Sequence, residues 1–236
     1  MSSSEDSEIK AFRRTIITWY RQHGDSYLPW RRTGDPWRVL IASLLLRKTT
    51  TKQVAEVYDK FIKTFPSPES LARAREEEVE ELIRPLGMER ERAKLLIRLA
   101  KELVEKYRGR VPCEERELKQ LPGVGDYASA EVLLVACNKP KPLLDRNMIR
   151  VIERVFGVKS SKKRPHTDPA LWKFAEGLVP SDPEEAKEFN FGVLDFARKI
   201  CRARNPLCNK CPLKGICLHY ASKHAGRRES FEKHHR

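Results

Sequence analysis

Apolar residues recur at helical spacing along most of this chain, and that periodicity limits the possible folds more than any other feature. Ile9, Phe12, Ile16, Trp19 and Tyr20 share one helical face, and Gly24 follows as a stop. Asp35-Pro36-Trp37 reads as an N-cap with Pro in the first helical position, opening a helix over 37–46. Val54, Val57, Tyr58 and Phe61 mark another helix, and Ser67-Pro68 caps the next, with Leu71 and Ala74 inward. Val79, Leu82 and Ile83 precede Pro85 and Gly87. A long amphipathic pattern from Ala93 through Leu96, Ile97, Leu99, Ala100 and Leu103 to Val104 ends near Gly109. Period-2 runs and Asn-Gly hairpin signals are missing. The expected fold is all-α, with short loops and no solenoid repeat.

Composition places the chain among soluble globular proteins: 236 residues, 40% hydrophobic and 34% charged, are enough for a buried core. Its longest apolar runs, 39–46 and 132–137, are too short to span a bilayer. The polar, acidic start over 1–7 lacks the apolar stretch of a secretory signal. The expectation is a cytoplasmic protein without membrane attachment. Three Gln and five Asn among abundant Lys, Arg and Glu suggest a thermophile.

The net charge of +14 is concentrated. Residues 198–236 hold eleven Lys/Arg against two acids, residues 139–164 hold nine against two, and the remainder is slightly acidic. Two such segments are the footprint expected for a polyanion, above all nucleic acid.

Four of the six cysteines, Cys201, Cys208, Cys211 and Cys217, are spaced C-x6-C-x2-C-x5-C. In a cytosolic chain such a set more often binds metal than forms disulfides. Four thiolates suit a tetrahedral zinc or an iron–sulfur cluster. Zinc ribbons usually pair two C-x2-C hooks and only Cys208 and Cys211 make one, so the wide spacings favour a 4Fe–4S cluster. Cys113 and Cys137 lie outside the set and read as ordinary buried thiols.

Between a short helix over 114–120 and a helix over 127–137 lies Leu121-Pro122-Gly123-Val124-Gly125. Two glycines two apart permit a tight turn and close approach of another backbone. The following helix start offers unpaired N–H groups and a positive dipole end, a phosphate site indifferent to base sequence. This segment resembles the helix-hairpin-helix motif. About twenty residues on, Leu143-Leu144-Asp145-Arg146-Asn147 is similar to the loop and aspartate of the helix-hairpin-helix DNA glycosylases, and the cysteine spacing matches their iron–sulfur loop. The stretches from Asp35 to Thr51 and from Phe189 to Asp195 also fit.

The resemblance implies two lobes: a six-helix barrel over 25–135 with the hairpin at 114–137, and an iron–sulfur lobe from 1–24 plus 136–220, followed by a basic tail over 221–236. DNA would cross the cleft between the lobes, and a monovalent cation (K+ or Na+) would sit on the carbonyls of Lys119, Leu121 and Val124. The partner would be double-stranded DNA carrying a mismatched or damaged base, bound by a monomer in the cytoplasm or nucleoid, in an archaeon.

Members with lyase activity carry a lysine where this chain has Tyr127, and a phenol cannot form an imine. The resemblance therefore implies a monofunctional enzyme and ranks endonuclease III-like cleavage lower. Adenine-specific members carry a glutamate where Ser43 stands, and serine cannot protonate a purine ring. The chain also stops 19 residues after Cys217, which leaves no room for the extra domain those members use to read 8-oxoguanine. The archaeal thymine/uracil mismatch glycosylases match better. They share Leu-Leu-Arg-(Arg/Lys)-Thr-Thr, here 45–50, and the tyrosine after the hairpin, although some keep a glutamate at the Ser43 position.

The implied chemistry is eversion of thymine or uracil opposite guanine and hydrolysis of its C1′–N bond. Asp145 is the expected catalytic carboxylate, kept ionised by Lys141, Arg146 and Arg150; its bland alternative is a helix cap. Tyr127 would line the base pocket, with Ser43 beside the base. Arg47 and Lys48 would fill the gap in the duplex or contact the orphan guanine. Leu121, Gly123, Val124, Gly125 and Arg146 would grip DNA, and Arg202, Arg204, Lys210 and Lys214 would touch phosphates from the cysteine loops. Trp30, Trp37 and Trp172 read as core. Competing readings are an adenine or damaged-base glycosylase of the same superfamily, a non-catalytic lesion-binding iron–sulfur protein, and a zinc-stabilised DNA-binding regulator.

Overall fold

The structure is a computed structural model that describes residues 3–223, with side chains from Glu5 onward. Most of the expected basic tail, residues 224–236, lies outside the described residues. Among those described there is no strand, as the helical periodicity predicts. No helix among them is long and apolar enough to cross a membrane. The chain divides into two compact units, Ser26–Lys141 and a discontinuous one made of Met1–Asp25 with Pro142–Arg236.

In the discontinuous unit, α1 (Ser3–His23) packs on α11 (Pro183–Lys199), and α11 packs on α9 (Arg146–Phe156). The core is aromatic: the Phe12 ring meets Phe156 at 5.1 Å and Phe189 at 5.6 Å, both edge-on, and Trp19 meets Phe196 at 5.3 Å. Edge-to-face contact suits the ring quadrupoles. Helices α1 and α11 approach closely because Gly192 has no side chain; a Cβ there would stand 2.8 Å from Ile16 Cγ2. Arg13 donates to the carbonyls of Gly177 and Leu178 at the end of α10 (Pro169–Leu178), satisfying acceptors the helix cannot pair itself. Asp168 and Asp182 cap α10 and α11. Trp172 departs from the core expectation: it is half-buried, and its indole N–H donates to His166 O at 2.8 Å.

In the continuous unit, Asp35 caps α2 (Pro36–Leu45) by accepting from Trp37 N and Arg38 N. Thr50 and Gln53 form a reciprocal capping box on α3 (Thr51–Thr64). Helices α4 (Pro68–Ala72) and α5 (Glu76–Ile83) pack on α6 (Glu89–Tyr107), while α2 packs on α8 (Asp126–Val135). Leu40, Ile41, Leu45, Leu71, Ile83, Leu96 and Leu99 are fully buried between these helices. Trp30 and Trp37 are buried here, as expected. Cys113 and Cys137 correct an expectation. They are not separate thiols but a disulfide, joining the segment before α7 (Glu115–Leu118) to the segment after α8. A spacing of 24 residues carries no sign of the pairing, because the hairpin's return is what brings the two ends together.

Candidate functional site

The hairpin consists of α7, the Leu121-Pro122-Gly123-Val124-Gly125 turn and α8. Leu121 and Val124 are buried and anchor the turn, and Val124 N donates to Leu121 O at 3.1 Å. Gly123 requires glycine for its backbone, and an added Cβ would also make Leu95 shift. Its φ is +78°, and a Cβ would stand 2.8 Å from the Leu95 side chain. Gly125 is different. Its backbone is extended at φ −106°, and a Cβ would meet nothing within 4 Å, so its value is an open approach to the start of α8. No side chain caps that helix start. Asp126 places a negative charge in its first turn, and Lys119 offsets it, with Nζ 2.7 Å from both Asp126 Oδ1 and Glu115 Oε1. Burial works against the Lys119 ammonium, but its hydrogen bonds to Asp126 and Glu115 outweigh that and raise its pKa.

Ser43 lies on the buried face of α2, and its hydroxyl has no hydrogen-bond partner. Leaving such a group unpaired costs about 1–3 kcal/mol, so the position is held against a stability penalty. Tyr127, half-buried, sits in the first turn of α8. Arg47 and Lys48 are exposed in the turn that leaves α2. Arg47 Nη1 donates to Gly123 O at 3.2 Å, which ties this turn to the hairpin, and Lys48 has a left-handed backbone at φ 56°. Sequence reasoning missed Arg92 of α6, which donates to Leu44 O, Arg47 O and Gly87 O. An arginine on an amphipathic helix carries no signal of such a role.

In the discontinuous unit, Asp145 caps α9. Its Oδ1 accepts from Asn147 N at 2.8 Å and Met148 N at 2.9 Å, and its Oδ2 accepts from Asn147 Nδ2 at 2.6 Å. Of the basic neighbours expected to keep it ionised, Arg150 does pull its pKa down. Burial raises its pKa, and the opposing pull of these hydrogen bonds and of Arg150 does not cancel that. Asn147 Oδ1 accepts from Arg150 Nη2 at 3.0 Å, and Arg150 Nε donates to Cys201 O at 2.9 Å, so one chain of hydrogen bonds runs from the carboxylate to the cysteine segment. Arg154, one turn on, donates to Cys201 Sγ at 3.4 Å and to the carbonyls of Arg202 and Ala203. Sequence reasoning missed Arg154; the recurrence of arginine at i, i+4 could have flagged the pair.

Cys201, Cys208, Cys211 and Cys217 are free thiols, all half-buried, and all four line one cavity with Arg154, Leu213 and His219. Burial pushes Cys211 up to about 11 and raises Cys217 as well. Among the described residues no three His, Cys, Asp or Glu are grouped so as to hold a metal ion. Arg202, Arg204, Lys210, Lys214 and Arg146 are exposed.

Residues 41–176 match the HhH-GPD superfamily of base excision DNA repair proteins. The chain belongs to that superfamily. It is 61% identical, over 92% of its length and 97% of the relative's, to the thymine-DNA glycosylase of Aeropyrum pernix. It is 62% identical, over 90% of its length and 93% of the relative's, to the thymine/uracil-DNA glycosylase of Pyrobaculum aerophilum. The solved structure of a thermostable thymine-DNA glycosylase superposes with a TM-score of 0.87 at 36% identity, covering 93% of this chain and all of that one. The all-helical architecture is thus that of HhH-GPD glycosylases.

Proposed function

We propose that this protein is a base-excision-repair DNA glycosylase that everts thymine or uracil mispaired with guanine and hydrolyses its C1′–N bond. The observation that carries the reading is the 61% identity to a thymine-DNA glycosylase across nearly the whole of both chains. A weakly paired base lowers the energy needed for eversion. As the C1′–N bond breaks, its electron pair leaves with the base and positive charge develops on the sugar. The Asp145 carboxylate stabilises that charge and positions a water, which adds to C1′ and passes a proton to the carboxylate, the departing base anion being protonated in turn. Ser43 offers a buried hydroxyl to the polar edge of the base. It cannot serve as a ring-protonating acid, which argues against adenine.

The hairpin start of α8 receives a phosphate, and Arg146, Arg202, Arg204, Lys210 and Lys214 add backbone contacts. A 4Fe–4S cluster held by Cys201, Cys208, Cys211 and Cys217 would supply a structural anchor for the basic loops. The convergence of four thiols on one cavity supports that ligand set.

A base-release panel tests the reading, with duplexes that carry one altered base against each of the four opposing bases. Thymine and uracil opposite guanine should be released fastest, and exclusive release of adenine would overturn the assignment. Tyr127 in place of lysine supports a monofunctional enzyme, since only an amine forms a Schiff base with C1′. Tyr127→Lys should gain strand cleavage and a borohydride-trapped adduct that the wild type lacks.

A further inference from the structure

Four described non-glycine residues of the continuous unit, Lys48, Met88, Arg108 and Asn138, lie in the left-handed region, and two of them sit in turns that are tied to each other. Lys48, at φ 56°, follows α2, and Met88, at φ 53°, precedes α6. Both side chains are exposed, Met88 to 52%. Such conformations persist only where the surroundings hold them. Here one side chain holds both turns. Arg92 Nε donates to Gly87 O at 3.0 Å, Nη1 to Leu44 O at 3.1 Å and Nη2 to Arg47 O at 2.5 Å. Gln53 Nε2 adds a tie to Pro85 O at 3.2 Å. The Leu44 carbonyl belongs to the last turn of α2 and the Arg47 carbonyl to the turn beyond it, a helix end where a cation is favoured. Arg47 in turn reaches the hairpin through Gly123 O.

We propose that Arg92 is a positioning residue that locks the 46–50 and 84–88 turns in one register, so that Lys48 meets the duplex in a preset pose. The proposal rests on the glycosylase reading and on Lys48 as a duplex contact. It assigns Arg92 an action through Lys48, with no contact of its own to DNA. A planar fork with three satisfied donors suits the task, and a lysine amine at the same place cannot span all three carbonyls.

The test places 2-aminopurine beside a G·T mispair and reads two quantities, the fluorescence rise on binding and the single-turnover rate of base release. Arg92→Ala should cut both by tenfold or more, because small misplacements at such sites are expensive, while duplex affinity falls less. Lys48→Ala should give a similar loss. The double variant should lose no more than Lys48→Ala alone, and Arg92→Lys should be intermediate. If Arg92→Ala does not fold, the same cycle is run with Arg92→Lys, again with non-additive losses expected. Multiplicative losses in the double variant, or wild-type values for Arg92→Ala, overturn the proposal. A wild type that unstacks the duplex yet releases no base overturns the glycosylase reading instead, and the fluorescence cycle still decides the role of Arg92.

Discussion

The Asp145 carboxylate accepts three hydrogen bonds from the first turn of its own helix, and burial still raises its pKa. The two effects oppose each other, and desolvation is the larger. Because the ionised form is the one disfavoured, Asp145 contributes no penalty below its ordinary value of 3.8 and a growing one as pH rises through its raised folded value. Chemistry runs the other way, since only the carboxylate can stabilise an oxocarbenium-like centre. The rate of base release should therefore rise with pH on one ionisation whose midpoint lies above 3.8, read from single-turnover rates between pH 3.5 and 8. A flat profile would separate Asp145 from the chemistry. At this scale the sequence was partly legible. The spacing from the hairpin singled out Asp145, and Ser43 and Tyr127 stood out by the residue types they replace. Arg92 was not legible, because its three acceptors come from two turns that only the fold brings together.

Helix starts were the most legible elements. Asp35-Pro36 and Ser67-Pro68 announce α2 and α4, since the side chain caps the helix and the proline needs no N–H there. The same signal stands at Asp168-Pro169 and Asp182-Pro183, where it opens α10 and α11 and could have placed both. The hairpin was legible from its glycines, although only Gly123 needs a left-handed backbone. Its covalent closure was not. The Cys113–Cys137 disulfide encloses α7, the turn and α8, a loop spanning 24 residues. Loop-closure entropy for that length is worth about 3 kcal/mol. A Cys113→Ala/Cys137→Ala variant should melt several degrees lower while releasing base at an unchanged rate at moderate temperature. An unchanged melting temperature would mean the bond adds nothing to the folded state.

Across the whole molecule, positive charge gathers on 139–164 and 198–236, which hold α9 with Asp145 and the cysteine segment. Arg150 and Arg154 spend their donors inward on the carbonyls of Ala197, Cys201, Arg202 and Ala203, whereas Arg202, Arg204, Lys210 and Lys214 are exposed. The same composition thus serves two ends, holding the cysteine segment in place and presenting charge to a polyanion. The proposed base release requires Asp145 to act chemically rather than only as a cap, and one substitution separates the two. Asparagine caps a helix about as well as aspartate but carries no charge. The decisive measurement is the single-turnover release of thymine from a G·T duplex by wild type and Asp145→Asn, with melting temperatures taken alongside. Equal melting temperatures and a rate at least a hundredfold lower for Asp145→Asn are expected, in line with the loss of one electrostatic stabiliser. Release by Asp145→Asn at the wild-type rate would contradict a chemical role for Asp145.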